Sequence, residues 1–126
     1  MKIRIYYHHT DCAGTVYYAN YLIFLEEART EFLEKRGLSI KELVEQGVLF
    51  VVSRQEIDYK APAFYGDILE IEARLINISK VRMEFAYEIK NQSGRLICSA
   101  KTVMACVDAD LKPSAISEKV RQKLSS

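Results

Sequence analysis

The sequence has no excess of charge of either sign: 18 Lys plus Arg stand against 17 Asp plus Glu, a formal net charge of +1. That balance excludes a dedicated nucleic-acid binder, which carries a basic surplus on one face, while leaving room for a small basic patch aimed at a phosphorylated small molecule. Cysteine is scarce and odd in number. Cys12, Cys98 and Cys106 contain no CxxC pair, so a disulfide framework is not expected and a reducing compartment fits better. No apolar run approaches the roughly 20 residues of a membrane span. Met1-Lys2-Ile3-Arg4 alternates apolar and basic residues and lacks a hydrophobic signal core. Repeats, low-complexity tracts and linkers are missing as well. The expectation is a soluble, cytoplasmic protein in which residues 1–126 form one domain.

What is present is periodicity. Residues 2–8 alternate as a strand, with Ile3, Ile5 and Tyr7 on one face. Thr10-Asp11-Cys12-Ala13-Gly14 interrupts it with turn chemistry. Asn20 is placed to cap a helix running to about Arg36 and stopped by Gly37, with Tyr21, Phe24, Leu25, Ala28 and Phe32 on one stripe. Ser39-Ile40-Lys41-Glu42 reads as a capping box opening a short second helix that ends near Gly47. From Leu49 the period becomes that of strands: Leu49 to Tyr59, Ile68 to Ile78, Met83 to Lys90 and Leu96 to Val107, with Asn91-Gln92-Ser93-Gly94 as a hairpin turn. Pro62 belongs in a connection or at an edge. Ser114 to Leu124 reads as a terminal helix. Consecutive strands with short turns imply an antiparallel sheet, and the long helix must bury its stripe against it, an α+β design of about five strands wrapped around one helix.

The stretch from His9 to Tyr21 concentrates the candidate chemistry. Asp11 alone reads as a turn residue bonded to nearby backbone. Beside it, however, Gly14 permits close backbone approach, and the helix start near Tyr18 presents free N–H groups and a positive dipole end. A carboxylate next to such donors holds two parts of a carbonyl-hydrolysing site: one attacks or activates water, the other stabilises an oxyanion. Cys12 is a competing nucleophile without an evident base to form its thiolate. His8 and His9, adjacent on a strand, point to opposite faces and make a poor chelate, so no metal is expected. Tyr6, Tyr7, Tyr17, Tyr18 and Tyr21 crowd this region as packing residues or as the lining of an acyl pocket.

Asp11-Cys12-Ala13-Gly14-Thr15-Val16-Tyr17-Tyr18-Ala19-Asn20-Tyr21 resembles the active-site signature of hot-dog-fold acyl-CoA thioesterases of the 4-hydroxybenzoyl-CoA thioesterase and YbgC type. The likeness continues in Glu27-Ala28-Arg29, in Ile57-Asp58-Tyr59-Lys60-Ala61-Pro62-Ala63 and in Gly66-Asp67, so it covers nearly the whole chain. It implies an acyl-CoA thioesterase without a cofactor, with Asp11 as the catalytic carboxylate and the Tyr18 backbone N–H as oxyanion donor. Gly14, Val16, Tyr17 and Tyr21 fall to substrate binding. Lys80 and Arg82, in the turn between two strands, are expected to meet the phosphates of CoA, with Arg54 and Lys60 as further options. Two positions depart from the family pattern: the YbgC branch commonly has His where Tyr18 stands, and Thr, Pro or Ala where Cys12 stands.

The resemblance also implies a homodimer or homotetramer with sheets joined edge to edge and sites at the interface, which removes exposed strand edges. Acyl carrier protein is an alternative bearer of the thioester. A non-catalytic hot-dog domain that binds acyl-CoA or acyl carrier protein is the competing reading; it would need the groove but no acid. A hot-dog dehydratase would want a His in the active-site stretch, whereas this motif begins with the acid.

Overall fold

The computed structural model describes residues 1–125. Five strands form one antiparallel sheet: β1 (Lys2–Arg4), β2 (Leu49–Tyr59), β3 (Ile68–Ile78), β4 (Arg82–Lys90) and β5 (Leu96–Val107). Their spatial order is β1-β3-β4-β5-β2. The long helix α1 (Asn20–Lys35) packs on the sheet, α2 (Ile40–Glu45) follows it, and α3 (Glu118–Leu124) comes last in the chain.

Alternation in β3 and β4 translates directly into burial. Leu69 and Ile71, with half-buried Ala73 and Leu75, face inward from β3; Met83, Phe85, Tyr87 and Ile89 do so from β4. These are β-branched, aromatic and long apolar residues suited to a half-buried pleated surface, and Glu70, Glu72 and Glu88 between them take the wet side. α1 lays Tyr21, Phe24, Leu25, Ala28 and Leu33 onto this face, and its Phe32 ring meets Phe85 edge-on at 5.3 Å. Burying each of these large side chains contributes about 1.5–3 kcal/mol. β5 adds its own buried row, Cys98, Ala100, Thr102, Met104 and Cys106, to this core. β2, with a bulge between Val52 and Arg54, lies on the outside of β5 and is the long edge of the sheet.

The expected strand over residues 2–8 is cut short. β1 ends at Arg4, and Tyr7–His9 form a 3-10 turn that leaves Tyr7 81% exposed rather than inward with Ile3 and Ile5. Its partner strand β3 begins at Ile68, and before that point Ile5 meets the Asp67 carbonyl and the Gly66 N–H. The chain then finds local bonds instead: Tyr6 N–H donates to His9 Nδ1 at 2.9 Å, and His9 N–H to the Tyr6 carbonyl at 3.0 Å. The turn also brings the His8 and His9 rings together, centroids 4.1 Å apart, where a strand would have separated them.

Asn20 does not cap α1. It is the first helical residue, and its Nδ2 donates to the His9 carbonyl at 2.8 Å. Ser39 does cap α2, accepting from Glu42 N–H at 3.3 Å. The terminal helix is shorter than the pattern from Ser114 suggests. Ser114 and Ile116 donate to the carbonyls of Cys106 and Lys80, so this segment runs extended along the sheet until Ser117 caps α3. No helix among the described residues is long and apolar enough to cross a membrane.

Candidate active site

The loop before α1 is stitched shut by its own backbone. Asp11 N–H donates to the Thr15 carbonyl at 2.9 Å and Gly14 N–H to the Asp11 carbonyl at 3.1 Å. Gly14 closes this turn at φ +81°, a conformation that costs a side-chain-bearing residue strain. The Asp11 carboxylate accepts from Ala13 N–H through Oδ1 at 2.8 Å, which fixes the side chain while Oδ2 stays available. Val16 N–H then donates to the Ala63 carbonyl at 2.9 Å, tying the loop to the segment after β2.

The start of α1 is organised around one carbonyl. His9 O accepts from both Tyr17 N–H, at 2.9 Å, and Asn20 Nδ2. The N–H groups of Asn20, Tyr21 and Leu22 turn back to the carbonyls of Tyr17, Tyr18 and Ala19. Two donors are left over. Among the described residues, the N–H groups of Tyr18 and Ala19 find no acceptor. An unmatched pair of N–H groups at a helix N-terminus is a ready site for negative charge.

Asp11 and Tyr18 line the same cleft, of about 410 Å³, together with Val16, Tyr17, Tyr21 and Tyr59. Lys60, Ala61 and Pro62 complete its wall. Tyr59 is a residue that sequence reasoning left out of the site. It stands at the end of β2, 41 positions from Tyr18, and its hydroxyl donates to the Tyr18 carbonyl at 3.1 Å. That carbonyl belongs to the same peptide group as the free Ala19 N–H, so the bond orients the peptide and polarises its donor. The Tyr59 ring also packs against Tyr18 and Tyr21, at 6.3 and 5.6 Å between centroids. Only the family-like run from Ile57 to Ala63 hinted at this segment; no spacing within the chain pairs position 59 with position 18.

Burial sets the protonation of the surroundings. Tyr21 is held well above the ordinary tyrosine range by desolvation, and Tyr59 is raised for the same first reason. Both act as neutral hydroxyls at physiological pH. His9 is pushed below its usual value by burial and by the neighbouring His8, which agrees with its Nδ1 accepting from Tyr6. Burial drives the Cys98 thiol up to about 12, leaving it unreactive. Cys12 is exposed, off the cleft wall. Among the described residues, no cluster of three His, Cys, Asp or Glu side chains is arranged to hold a metal.

Lys80 and Arg82 are not brought to Asp11 within the chain. Tyr59 lies opposite Cys98 in the β2–β5 register, and Arg82 opposite Ala105 in the β4–β5 register. Seven residues of β5 separate these points, on the order of 23 Å along the strand.

The sequence profile of the thioesterase-like superfamily matches residues 6–124. The chain belongs to this superfamily. Within it, the acyl-CoA thioester hydrolase YbgC of Escherichia coli O6:H1 is 35% identical over 119 residues, 94% of this chain and 89% of that protein. The acyl-CoA thioesterase YbgC of Haemophilus influenzae is 36% identical over 122 residues, 94% of this chain and 88% of its own length. Among solved structures, the DHNA-CoA thioesterase of Staphylococcus aureus superposes with a TM-score of 0.94 at 27% identity, covering 99% of this chain and 87% of that one. These matches establish the hot-dog fold for the sheet and its helix, and make the chain a hydrolase of the thioesterase kind.

Proposed function

We propose that the chain is an acyl-CoA thioesterase in which Asp11 serves as nucleophile or general base and the Tyr18 N–H as oxyanion donor. The observation that carries this reading is that a carboxylate and an unengaged helix N-terminal N–H line one cleft. A thioester carbonyl set between them has its oxygen at the Tyr18 N–H and its carbon open to attack. Ala19 N–H is a second donor for the same oxygen. In the general-base course, Asp11 removes a proton from water as its oxygen bonds the carbonyl carbon; the C–S bond then breaks, and the departing thiolate takes the proton from Asp11. In the nucleophilic course, Asp11 itself bonds the carbon, CoA thiolate leaves, and water cleaves the resulting anhydride. Either course is sustained by fixed dipoles rather than by an added group.

Gly14 shapes the loop, while Val16, Tyr17 and Tyr21 line the acyl side. Lys60, on the cleft wall, is placed for a phosphate. The edge strand β2, eleven residues long and with Val51, Val52 and Tyr59 partly exposed, suits antiparallel pairing with a second copy. Such pairing runs one copy's Leu49 end beside the other's Tyr59 end, which turns the second copy's Lys80 and Arg82 toward the first copy's cleft. The assembly is therefore a homodimer or a dimer of dimers whose sites are completed across the interface.

The test is thiol release from a panel of short, long and aromatic acyl-CoAs and acyl carrier proteins, by the wild type and by Asp11→Asn. The wild type should turn over at least one member, and Asp11→Asn, which keeps the shape, should lose that turnover. Saturable binding without thiol release would assign the chain to the non-catalytic alternative. Sedimentation of a β2-edge variant such as Val51→Lys should yield a folded monomer without turnover; a fully active monomer would sink the shared-site assembly.

A further inference from the structure

The connection between β3 and β4 has its three carbonyls taken by distant parts of the chain. Arg121 Nη2 donates to the Ser79 carbonyl, Ile116 N–H to the Lys80 carbonyl at 2.8 Å, and Cys106 N–H to the Val81 carbonyl at 2.7 Å. Ser79 also closes the turn from within. Its N–H donates to the Arg82 carbonyl at 2.8 Å, and its Oγ accepts from Arg82 N–H at 3.1 Å. The backbone from Ser79 to Arg82 is therefore held at every residue.

The side chains on this backbone are left free. Lys80 and Arg82 are exposed, and among the described residues neither side chain has an ion-pair or hydrogen-bond partner. Two uncommitted cations on a fixed turn suit a polyanion, because a charge-assisted contact gains most when little has to be ordered on binding.

Of the three donors that hold the turn, Arg121 alone reaches it with a side chain, from α3 and across 42 positions of sequence. Its Nε donates to the Ile116 carbonyl at 3.3 Å, so one planar fork joins Ser79 to the residue whose N–H grips Lys80. The helix that carries it is firmly seated. Ile116, Val120 and Leu124 are buried in the core, and Lys123 Nζ donates to the Gly37 carbonyl at 3.0 Å.

We propose that Arg121 is a positioning residue for CoA: it holds the β3–β4 turn in the conformation in which Lys80 and Arg82 meet the phosphates. This rests on the reading above, in which the pair serves a second copy's cleft. With its donors spent on the Ser79 and Ile116 carbonyls, Arg121 acts through the pair rather than beside it.

Calorimetric titration of the full chain with CoA, and with pantetheine, which lacks the nucleotide and its phosphates, tests the assignment. Arg121→Met should weaken CoA about three- to tenfold, the scale of ordering a few side chains on binding, and leave pantetheine unchanged. Lys80→Ala/Arg82→Ala should weaken CoA about tenfold or more. Adding Arg121→Met to that pair should cause no further loss, since nothing is left to position. Unchanged CoA binding in Arg121→Met, an equal fall for pantetheine, or a further loss of the same size in the triple variant overturns the inference. So does CoA binding that survives Lys80→Ala/Arg82→Ala. Should Arg121→Met fail to fold, Arg121→Lys, which cannot span both carbonyls, takes its place under the same outcomes. Absence of thiol release with this pattern of CoA binding intact would count against the thioesterase reading alone.

Discussion

The sheet interior and the cleft at the start of α1 both rely on tyrosine, and they treat it in opposite ways. Tyr87 is 2% exposed, its hydroxyl bonded on both sides by Thr102 and Arg29, and burial holds its pKa above the ordinary value. Tyr18 is 60% exposed; its carbonyl accepts from the Tyr59 hydroxyl and from Tyr21 N–H, and its ring rests against those of Tyr17 and Tyr59. Inside the sheet every polar group must find a partner because water cannot reach it. At the helix start, the 3-10 turn, Asn20 and the His9 carbonyl satisfy most of the backbone and leave two N–H groups over. The interior uses its hydrogen bonds for stability, while the cleft keeps donors in reserve for a ligand.

The contrast breaks most sharply at Asp11. Asp11→Asn should lower kcat by about a hundredfold or more, the scale of losing a general base, with an unchanged Tm; turnover within a few-fold of wild type would remove Asp11 from the chemistry. In the interior, Tyr87→Phe leaves Thr102 and Arg29 short of a partner and should cost about 1–3 kcal/mol of stability by urea unfolding. Its KM for the preferred thioester should stay near wild type. Tyr59→Phe removes a single hydroxyl from the cleft and should reduce kcat about three- to tenfold with little change in KM. A fall in Tm with unchanged kcat would make Tyr59 a packing residue only.

A smaller effect is expected from pH. The depressed pKa of His9 means that the unfolded chain takes up a proton before the folded one does. Its contribution to stability is present above about pH 6.5, the ordinary histidine value, and is lost as pH falls through the lower folded value. Tm should therefore decline from pH 7 toward pH 5, and His9→Asn should flatten that decline. Smallest of all is Tyr18→Phe, which should leave kcat within about twofold, because the proposed role is a main-chain one. A large loss there would shift the role from the backbone to the phenol.

Much of this architecture was readable before any coordinates. The inward rows of β3 and β4 followed strict alternation, and the stripe of α1 followed the helical period, since local periodicity mirrors a nearby apolar surface. Reading failed where a competing local bond or a distant partner decided the outcome. Tyr7 left the strand face because His9 Nδ1 and the Tyr6 carbonyl offered closer bonds than a sheet whose next strand starts at Ile68. Ser114 to Ile116 stayed extended because Cys106 and Lys80 supplied carbonyl acceptors. Asn20 carried a capping residue's chemistry but bonded His9 across the loop.

The site divides along the same line. Asp11, Gly14 and the coming helix were visible as an acid, a turn and an N-terminus, all within a few residues of one another. Tyr59 was not, for it reaches the cleft only after β2 has been laid along β5 and its end folded over the loop; Lys60 was named as a further option for a phosphate, without the fold that sets it on the cleft wall. Arg29 was quoted as part of a family-like triplet, yet nothing local reveals that its guanidinium is buried without a carboxylate. By itself the sequence determined the elements, their apolar faces and the acid at the helix start, because those depend on side-chain chemistry at short range. Tertiary structure decided which donors remain unmatched, which strand end closes the cleft and where charge is enclosed, because hydrogen bonding and desolvation are settled only when distant segments meet.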